Sequence, residues 1–378
     1  MKLRRALGYA GLGIGAAAAS DAVLRNKAGD LPPALDGLQR TYRWRGMDVA
    51  YTEAGDADDP DLVLLHGLNA AGSSGEWREV FEALSESYHV VAPDLPGYGR
   101  SDRPPVRYSG ALYEEFVQDF LAEFGDGDLT VVASSLTASY AVKAAEAVDV
   151  SRFVLVCPTT TAGPPGQKPW VRELVRLPIV GQALFNLVTS KPAIEYFNAD
   201  HGYADPDGPD EAWTEYEWQT AHQENARFAA AAFLAGDLNS QLDLGSALAD
   251  LDADISLVWG RETELTPVDS GTTLAEAAGA ELLVFDRAKL LPHVERADAF
   301  LDYVLSGELP DDFSVIREYD PGEAAADDAA DAEDADGTEA GDQEEADDDE
   351  AEAEEADEAG EADEAEEADG ADDEETEE

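Results

Sequence analysis

The sequence predicts an α/β protein with a mostly parallel central sheet and helices on both faces. Three observations predict it. Short apolar runs recur along the chain, each followed by a loop or helical stretch: Leu62–Leu65, Tyr88–Ala92, Thr130–Val132, Phe153–Cys157, Ile255–Trp259 and Glu281–Phe285. The alternation stops between Pro158 and about Leu242, where apolar residues fall at helical spacing, as an inserted helical cap would require. Finally, Leu129–Ala141 reads as a buried strand, a sharp turn of small residues at Ala133–Thr137, and a small-residue helix.

In chain order, Lys2, Arg4 and Arg5 precede an uncharged Gly/Ala-rich run, Ala6–Ala19. That run is shorter than the roughly 20 residues of a membrane span. A tether or signal-like segment touching a membrane through residues 1–25 and a cytoplasmic helix both remain open. The expectation is a cytoplasmic protein, with tethering by this segment as the alternative. Leu38–Ala54 alternates apolar and polar residues around Gly46, which predicts two strands joined by a tight turn, and acidic Asp56–Asp61 is a surface loop. In the cap, Trp170–Phe197 is helical in period with a Pro178-Ile179-Val180-Gly181 interruption. Asp200–Asp210 is a polar loop, and Glu211–Ala235 is a second helical stretch whose Trp213 and Trp218 are read as packing residues. The expected organisation is therefore 1–37 as N-terminal segment and linker, 38–157 as the first part of the core, 158–242 as the cap, 243–320 as the second part, and 321–378 as a tail. The tail is almost wholly Ala, Gly, Asp and Glu, too poor in apolar surface to offset the entropy of ordering, so disorder is expected there.

Charge narrows the partners. The chain of 378 residues carries 84 acids and 24 bases, net −60. Residues 321–378 hold 32 of those acids and no Lys or Arg, which leaves 52 acids against 24 bases, net −28, on residues 1–320. Only 6 of the bases are Lys. An acidic, Lys-poor surface resembles that of proteins from extreme halophiles, since at molar salt the Debye length falls to about 3 Å and self-repulsion is screened. It argues against nucleic acid as a partner. One cysteine, Cys157, lies in an apolar run and is read as a buried small hydrophobe, so neither a disulfide framework nor a thiolate metal site is expected. No phosphate-binding glycine loop or metal-ligand cluster is legible, and no cofactor is expected.

The turn at Ala133–Thr137 has the small-x-Ser-x-small form of a nucleophile elbow, with Ser135 at the apex. Its outer positions are Ala and Thr where Gly is usual. Other landmarks line up with it. His66-Gly67-Leu68 follows one strand, where the Leu68 and Leu136 amides would serve as an oxyanion hole. Asp94-Leu95-Pro96-Gly97-Tyr98-Gly99-Arg100-Ser101 follows the next, with Asp94 and Arg100 read as holding that loop. Trp259-Gly260 is followed by Pro267, and Pro292-His293-Val294-Glu295 leads to Phe300. On these motifs the chain resembles the α/β-hydrolase superfamily, in its capped esterase, dehalogenase and lipase-like branch, over roughly Thr41–Leu305.

The resemblance implies an acid three residues after Gly260, where Thr263 stands between Glu262 and Glu264. It implies a histidine five residues before Glu295 and ten before Phe300, and both counts reach Leu290. A serine hydroxyl without a base is a poor nucleophile. Of the other histidines, His293 is the substitute, about one helical turn displaced. Its structural alternative is a residue in the first turn of the last helix. Two functions follow as expectations. One is an esterase-like hydrolase with Ser135 as nucleophile, His293 as base and Glu264 or Glu262 orienting it, taking a small apolar molecule or ester in a cap-covered pocket. The other is a non-catalytic member of the fold that binds a ligand or partner.

Overall fold

The computed structural model describes residues 19–125, 127–163, 166–310, 314–322 and 324. The basic start, most of the Ala6–Ala19 run and nearly all of the tail lie outside the described residues. Within them, nine strands form one sheet: β1 (Leu38–Trp44), β2 (Met47–Ala54), β3 (Asp61–Leu65), β4 (His89–Pro93), β5 (Thr130–Ser134), β6 (Arg152–Val156), β7 (Asp254–Gly260), β8 (Glu281–Phe285) and β9 (Val315–Tyr319). Their order is β1-β2-β4-β3-β5-β6-β7-β8-β9. Strands β4, β3, β5, β6, β7 and β8 run parallel, while β1, β2 and β9 are antiparallel additions at the two edges. The predicted α/β architecture is the observed one, and β9 is a strand that the sequence reading did not include.

The central runs read as continuous hydrophobics because they are covered on both faces. Every residue of β5 is buried, and β3, β6 and β8 are buried from their second residue on. Helix α1 (19–28) precedes the sheet, and α2 (Phe81–Leu84) follows a 3₁₀ turn at Ser74–Trp77. Ser109 Oγ caps the start of α3 (Gly110–Phe124) by accepting from Leu112 N. Phe116, Phe120 and Phe124, at helical spacing, meet Tyr42 of β1, and the last two meet Tyr51 of β2 edge-on. Helix α4 (Thr137–Ala144) leaves β5 directly.

Among the described residues six helices and no strand lie between β6 and β7, the first five being α5 (Pro169–Arg176), α6 (Val180–Val188), α7 (Lys191–Phe197), α8 (Glu211–Ala221) and α9 (Arg227–Leu234). The Pro178–Gly181 interruption separates α5 from α6. Gly181 sits where a Cβ would lie 2.2 Å from the Val175 carbonyl oxygen, so only glycine lets the two helices turn this tightly. Helix α7 ends in a single π turn, Asn198–Gly202, and Asp210 caps α8 through Trp213 N at 2.7 Å. After α10 (Leu244–Ala249) and β7, helix α11 (Val268–Ala278) leads to β8. The chain then passes through α12 (Pro292–Glu295) and α13 (Ala297–Ser306) to β9.

The loop after β8 is fastened to the helices inserted before β7. Glu295 accepts from Lys289 N at 2.8 Å and from Ala204 N at 2.7 Å, while Lys289 Nζ donates to the Ala199 and Asp200 carbonyls. Lys289 is thus an anchor between the two regions.

Candidate active site

Strands β3 and β5 are neighbours, and the sheet order reverses beside them, which is where parallel α/β sheets open a crevice at their carboxyl ends. Ser135 stands at the end of β5 with φ +56°, a left-handed conformation costing a non-glycine residue on the order of 1–3 kcal/mol. The surroundings impose it. Ser135 N donates to Val156 O at 2.8 Å, and its carbonyl accepts from Ala138 N and Thr159 N. Ala133 and Thr137, two residues to either side, are fully buried, so larger side chains would not fit. Thr137 also gives the turn something glycine cannot, since its Oγ1 donates to the His66 carbonyl at 2.8 Å. That bond ties the elbow to the loop after β3.

In that loop, His66 Nε2 accepts from Leu95 N at 3.0 Å and Nδ1 lies 2.8 Å from the Gly67 carbonyl. One ring nitrogen must therefore accept and the other donate, which defines a neutral imidazole protonated at Nδ1. Burial favours the same state and holds its pKa below the ordinary value. His66 orders the loop. Asp94 does likewise for the loop after β4, accepting from Ser74 N and Arg100 N and lying 3.5 Å from Arg100 Nε.

Gly67 marks the point where the groups converge. A Cβ there would lie 3.2 Å from Ser134 Oγ, 3.3 Å from Glu76 Oε2 and 3.7 Å from Ser135 Cβ. Glu76, from the 3₁₀ turn, accepts the Gly67 N–H at 2.9 Å through Oε2 and takes the Ser134 hydroxyl. Its Oε1 lies 3.5 Å from His293 Nε2, an ion-pair distance with no hydrogen bond formed. Burial alone would raise the Glu76 pKa. His293, the Ser134 hydroxyl and His66 outweigh it and hold the carboxyl below its ordinary value. The His293 ring is wholly buried and packs on Trp77 with centroids 4.4 Å apart. Neither of its nitrogens is hydrogen-bonded, to Ser135 or to any other group.

The carboxylates flanking Thr263 are elsewhere. Glu262 accepts from Arg287 N and Ala288 N at 3.0 and 2.9 Å, while its own amide donates to the Ala288 carbonyl. This zips the loop after β7 to the loop after β8. Gly260 permits the crossing, because a Cβ there would lie 1.9 Å from the Lys289 carbonyl oxygen. Glu264 is exposed, and Thr263 is buried with its hydroxyl unpartnered. The carboxylate that reaches His293 is Glu76, a residue absent from the sequence reading.

A cavity of about 260 Å³ opens beside this cluster. Leu290 and Leu291 form part of its wall, together with Glu76, Arg78 and apolar residues of α6, α7 and α9. Trp213 and Glu217, four residues apart on α8, present one face to it. Asn198 Nδ2 donates to Glu217 Oε2 at 2.6 Å, and the Arg78 guanidinium lies over the Trp213 ring at 3.9 Å. Burial pushes the Glu217 carboxyl up to about 7, against the lowering influence of Asn198 and Arg78. Cys157 is buried too, its thiol pushed up to about 12, and it is no nucleophile.

The match to known proteins decides the family. Residues 62–303 match the alpha/beta hydrolase family. This chain belongs to it. The chain is 31% identical over 173 residues to an uncharacterized protein of Mycobacterium bovis, covering 44% of this chain and 49% of that one. It therefore spans about half the length of the first relatives it matches. It is 28% identical over 274 residues to a Pseudomonas putida 2-hydroxy-6-oxononadienedioate/2-hydroxy-6-oxononatrienedioate hydrolase, covering 68% of this chain and 91% of the relative. Among solved structures, a serine hydrolase involved in carbazole degradation superposes with a TM-score of 0.58 at 18% identity, over 72% of this chain and 98% of that one. That likeness concerns the fold.

Proposed function

We propose that this hydrolase-family protein cleaves a small apolar ester, with Ser135 as nucleophile, His293 as general base and Glu76, in place of Glu264, as the carboxylate that holds the imidazole. The observation that carries the reading is the strained Ser135 apex beside a buried Glu76–His293 pair. Burying two ionisable groups costs several kcal/mol that packing alone would not require, and perturbed buried pairs gather at functional sites. In the proposed reaction, Ser135 Oγ attacks the ester carbonyl as its proton passes to His293. Glu76 offsets the imidazolium charge, and the Leu68 and Leu136 amides receive the developing oxyanion. The alcohol leaves with the proton, and water then releases the acid. The cavity's apolar wall suits a short acyl or alkyl group. Its two carboxyls, Glu76 and Glu217, outnumber its one cation, Arg78, and so oppose a dianion such as the substrate named for the Pseudomonas relative.

A second reading has its own support. Leu290 lines the cavity at the position implied for the base, and His293 makes no hydrogen bond to Ser135. On that reading the cavity binds a ligand without turning it over. Fluorophosphonate labelling and short-chain nitrophenyl ester hydrolysis, at neutral pH and molar KCl, separate the two. Loss of both in Ser135→Ala and a fall of about 10²-fold or more in His293→Gln support the enzyme. Background rates in the unmodified protein, or labelling indifferent to His293, leave the binding protein.

A further inference from the structure

The helices over the cavity carry a surface that fits neither a soluble acidic protein nor the ester chemistry. On α6, Val180, Leu184, Leu187 and Val188 follow the i, i+4, i+7, i+8 spacing of one helical face, and each is between 39% and 67% exposed. The flank next to this stripe buries Gly181 and Phe185. The side away from the exposed stripe carries Gln182 and Asn186, which are bonded to each other, to Arg227 and to Asp21, so the exposed stripe is the one apolar face of α6 left in water. Trp170, at the start of α5, and Phe197, at the end of α7, are exposed as well. Val188 and Phe197 also line the cavity, so its rim belongs to this apolar surface.

Charge separates the same region from the rest of the chain. From Leu174 to Ile194 there is no Asp or Glu in 21 residues, in a chain with 84 acids in 378. Arg176 donates there to the Pro105 and Val106 carbonyls and, among the described residues, pairs with no carboxylate. Lys191 does pair with Glu215. Helix α1 joins this region, since Asn186 of α6 donates to Asp21 at 3.2 Å. The 18 residues preceding α1 carry three bases and no acid.

We infer that the exposed face of α6, with Trp170 and Phe197, docks on the surface of a phospholipid bilayer. An apolar helical face flanked by cationic residues, lying in the interface plane, is the form such binding takes. The apolar stripe supplies the orientation, since it is the part of the surface that gains by leaving water and molar salt leaves that gain in place. A second copy is the poorer occupant, because it would set Arg176 against a stretch, Leu174–Ile194, that has no Asp or Glu to meet it, whereas a lipid phosphate does meet it. Docked this way, the cavity rim faces the lipid, and an apolar ligand enters from the bilayer without crossing water. The binding itself stands whether or not Ser135 turns over.

The test is flotation of the full chain with vesicles of phosphatidylglycerol and phosphatidylcholine in molar KCl, beside Leu184→Glu/Leu187→Glu and a chain lacking residues 2–18. The unmodified protein is expected to float, and its tryptophan emission to shift to the blue by an amount that Trp170→Ala reduces. The double variant, whose changes are exposed and should leave the melting temperature in place, is expected to lose about tenfold or more of its partitioning. Trp170→Ala, read by flotation, should lose part of it. Four results would overturn the inference: no flotation of the unmodified protein, equal flotation of the double variant, binding lost only with residues 2–18, or a dimer of the unmodified protein that the double variant abolishes.

Discussion

Glu217→Gln offers a quantitative check on the cavity. Glu217 is 9% exposed, accepts from Asn198, and faces Arg78, Glu76 and Tyr203 across or around the cavity. Its carboxyl is pushed from the ordinary 4.5 up to about 7, burial being the largest cause. The folded state thus holds a proton that the unfolded state has released between those two values. Stability contributed by this group is full below about pH 4.5 and is lost as pH rises through 7. Two and a half pKa units correspond to roughly 3 kcal/mol at pH 8, an order-of-magnitude figure. Glutamine keeps the shape and an oxygen for Asn198 but never ionises. The variant should match the unmodified protein near pH 4.5 and be more stable by up to ~3 kcal/mol at pH 8. For a domain of this size that is a rise in melting temperature of up to roughly 5 °C. The assay is thermal unfolding of both proteins from pH 4.5 to 8.5 in molar KCl, which screens the other carboxylates. A difference that does not grow with pH, or a variant less stable at pH 8 than at pH 5, would refute the argument and show that Arg78 compensates a charged Glu217.

Two other perturbations test the surrounding account. Glu262→Ala removes the acceptor of two loop amides and should cost about 1–3 kcal/mol by chemical denaturation, whereas exposed Glu264→Ala should shift the melting temperature by no more than about 1 °C; a larger effect at Glu264 would mean the loop after β7 is used differently. A chain ending at Asp320 retains β9 and should melt as the full chain does in molar KCl, yet be much less stable in dilute buffer because of its own net charge of −28. Equal stability at both salt levels would show that the acidity is no salt adaptation of the fold.

The fold was legible because its signals are local and repeated. Strands β3, β5, β6 and β8 are buried on both faces and so read as short apolar runs, and the elbow announces itself through the small residues around Ser135. Strand β9 was not legible for the opposite reason. It is an edge strand, Val-Ile-Arg-Glu-Tyr, with one buried residue and its polar residues outward, next to an acidic tail. In this chain, polar residues beside acids are what every surface loop looks like.

The carboxylate at His293 was missed on related grounds. With 84 acids in the sequence, one more between Gly75 and Trp77 carries no weight by itself. Glu76 is buried by contacts distant in sequence, with Gly67, Ser134 and His293. The one local cue was an acid wedged between glycine and tryptophan just after the His66-Gly67 loop. Counting from Gly260, by contrast, led to a loop whose acid was already spent, since Glu262 staples the chain at Arg287 and Ala288. A staple there fixes the backbone and leaves Glu264 in solvent, so a carboxylate for His293 had to come from the loop after β3.

That placement has a consequence that Glu76→Gln exposes. The Glu76 carboxylate holds the Gly67 amide, close to where the oxyanion would develop, and like charge there opposes the transition state. If His293 takes the Ser135 proton, the imidazolium faces Glu76 at the moment the oxyanion forms, and the carboxylate's charge is offset when it matters. Removing it then leaves the imidazolium unsupported, and labelling by a fluorophosphonate should fall about 10²-fold or more at pH 7. If His293 takes no proton, Glu76 only repels, and the glutamine should label as fast as the unmodified protein or faster. Folding stability provides an independent measure of the buried carboxylate. The Glu76 pKa is held below its ordinary value, so the carboxylate stabilises the fold above the unfolded value near 4.5, and that contribution is lost as pH falls through the lower folded value. The variant should therefore be less stable than the unmodified protein at pH 7, with the gap closing in acid. A closing gap with unchanged or faster labelling would mean that the pair is structural and would remove Glu76 from the proposed chemistry.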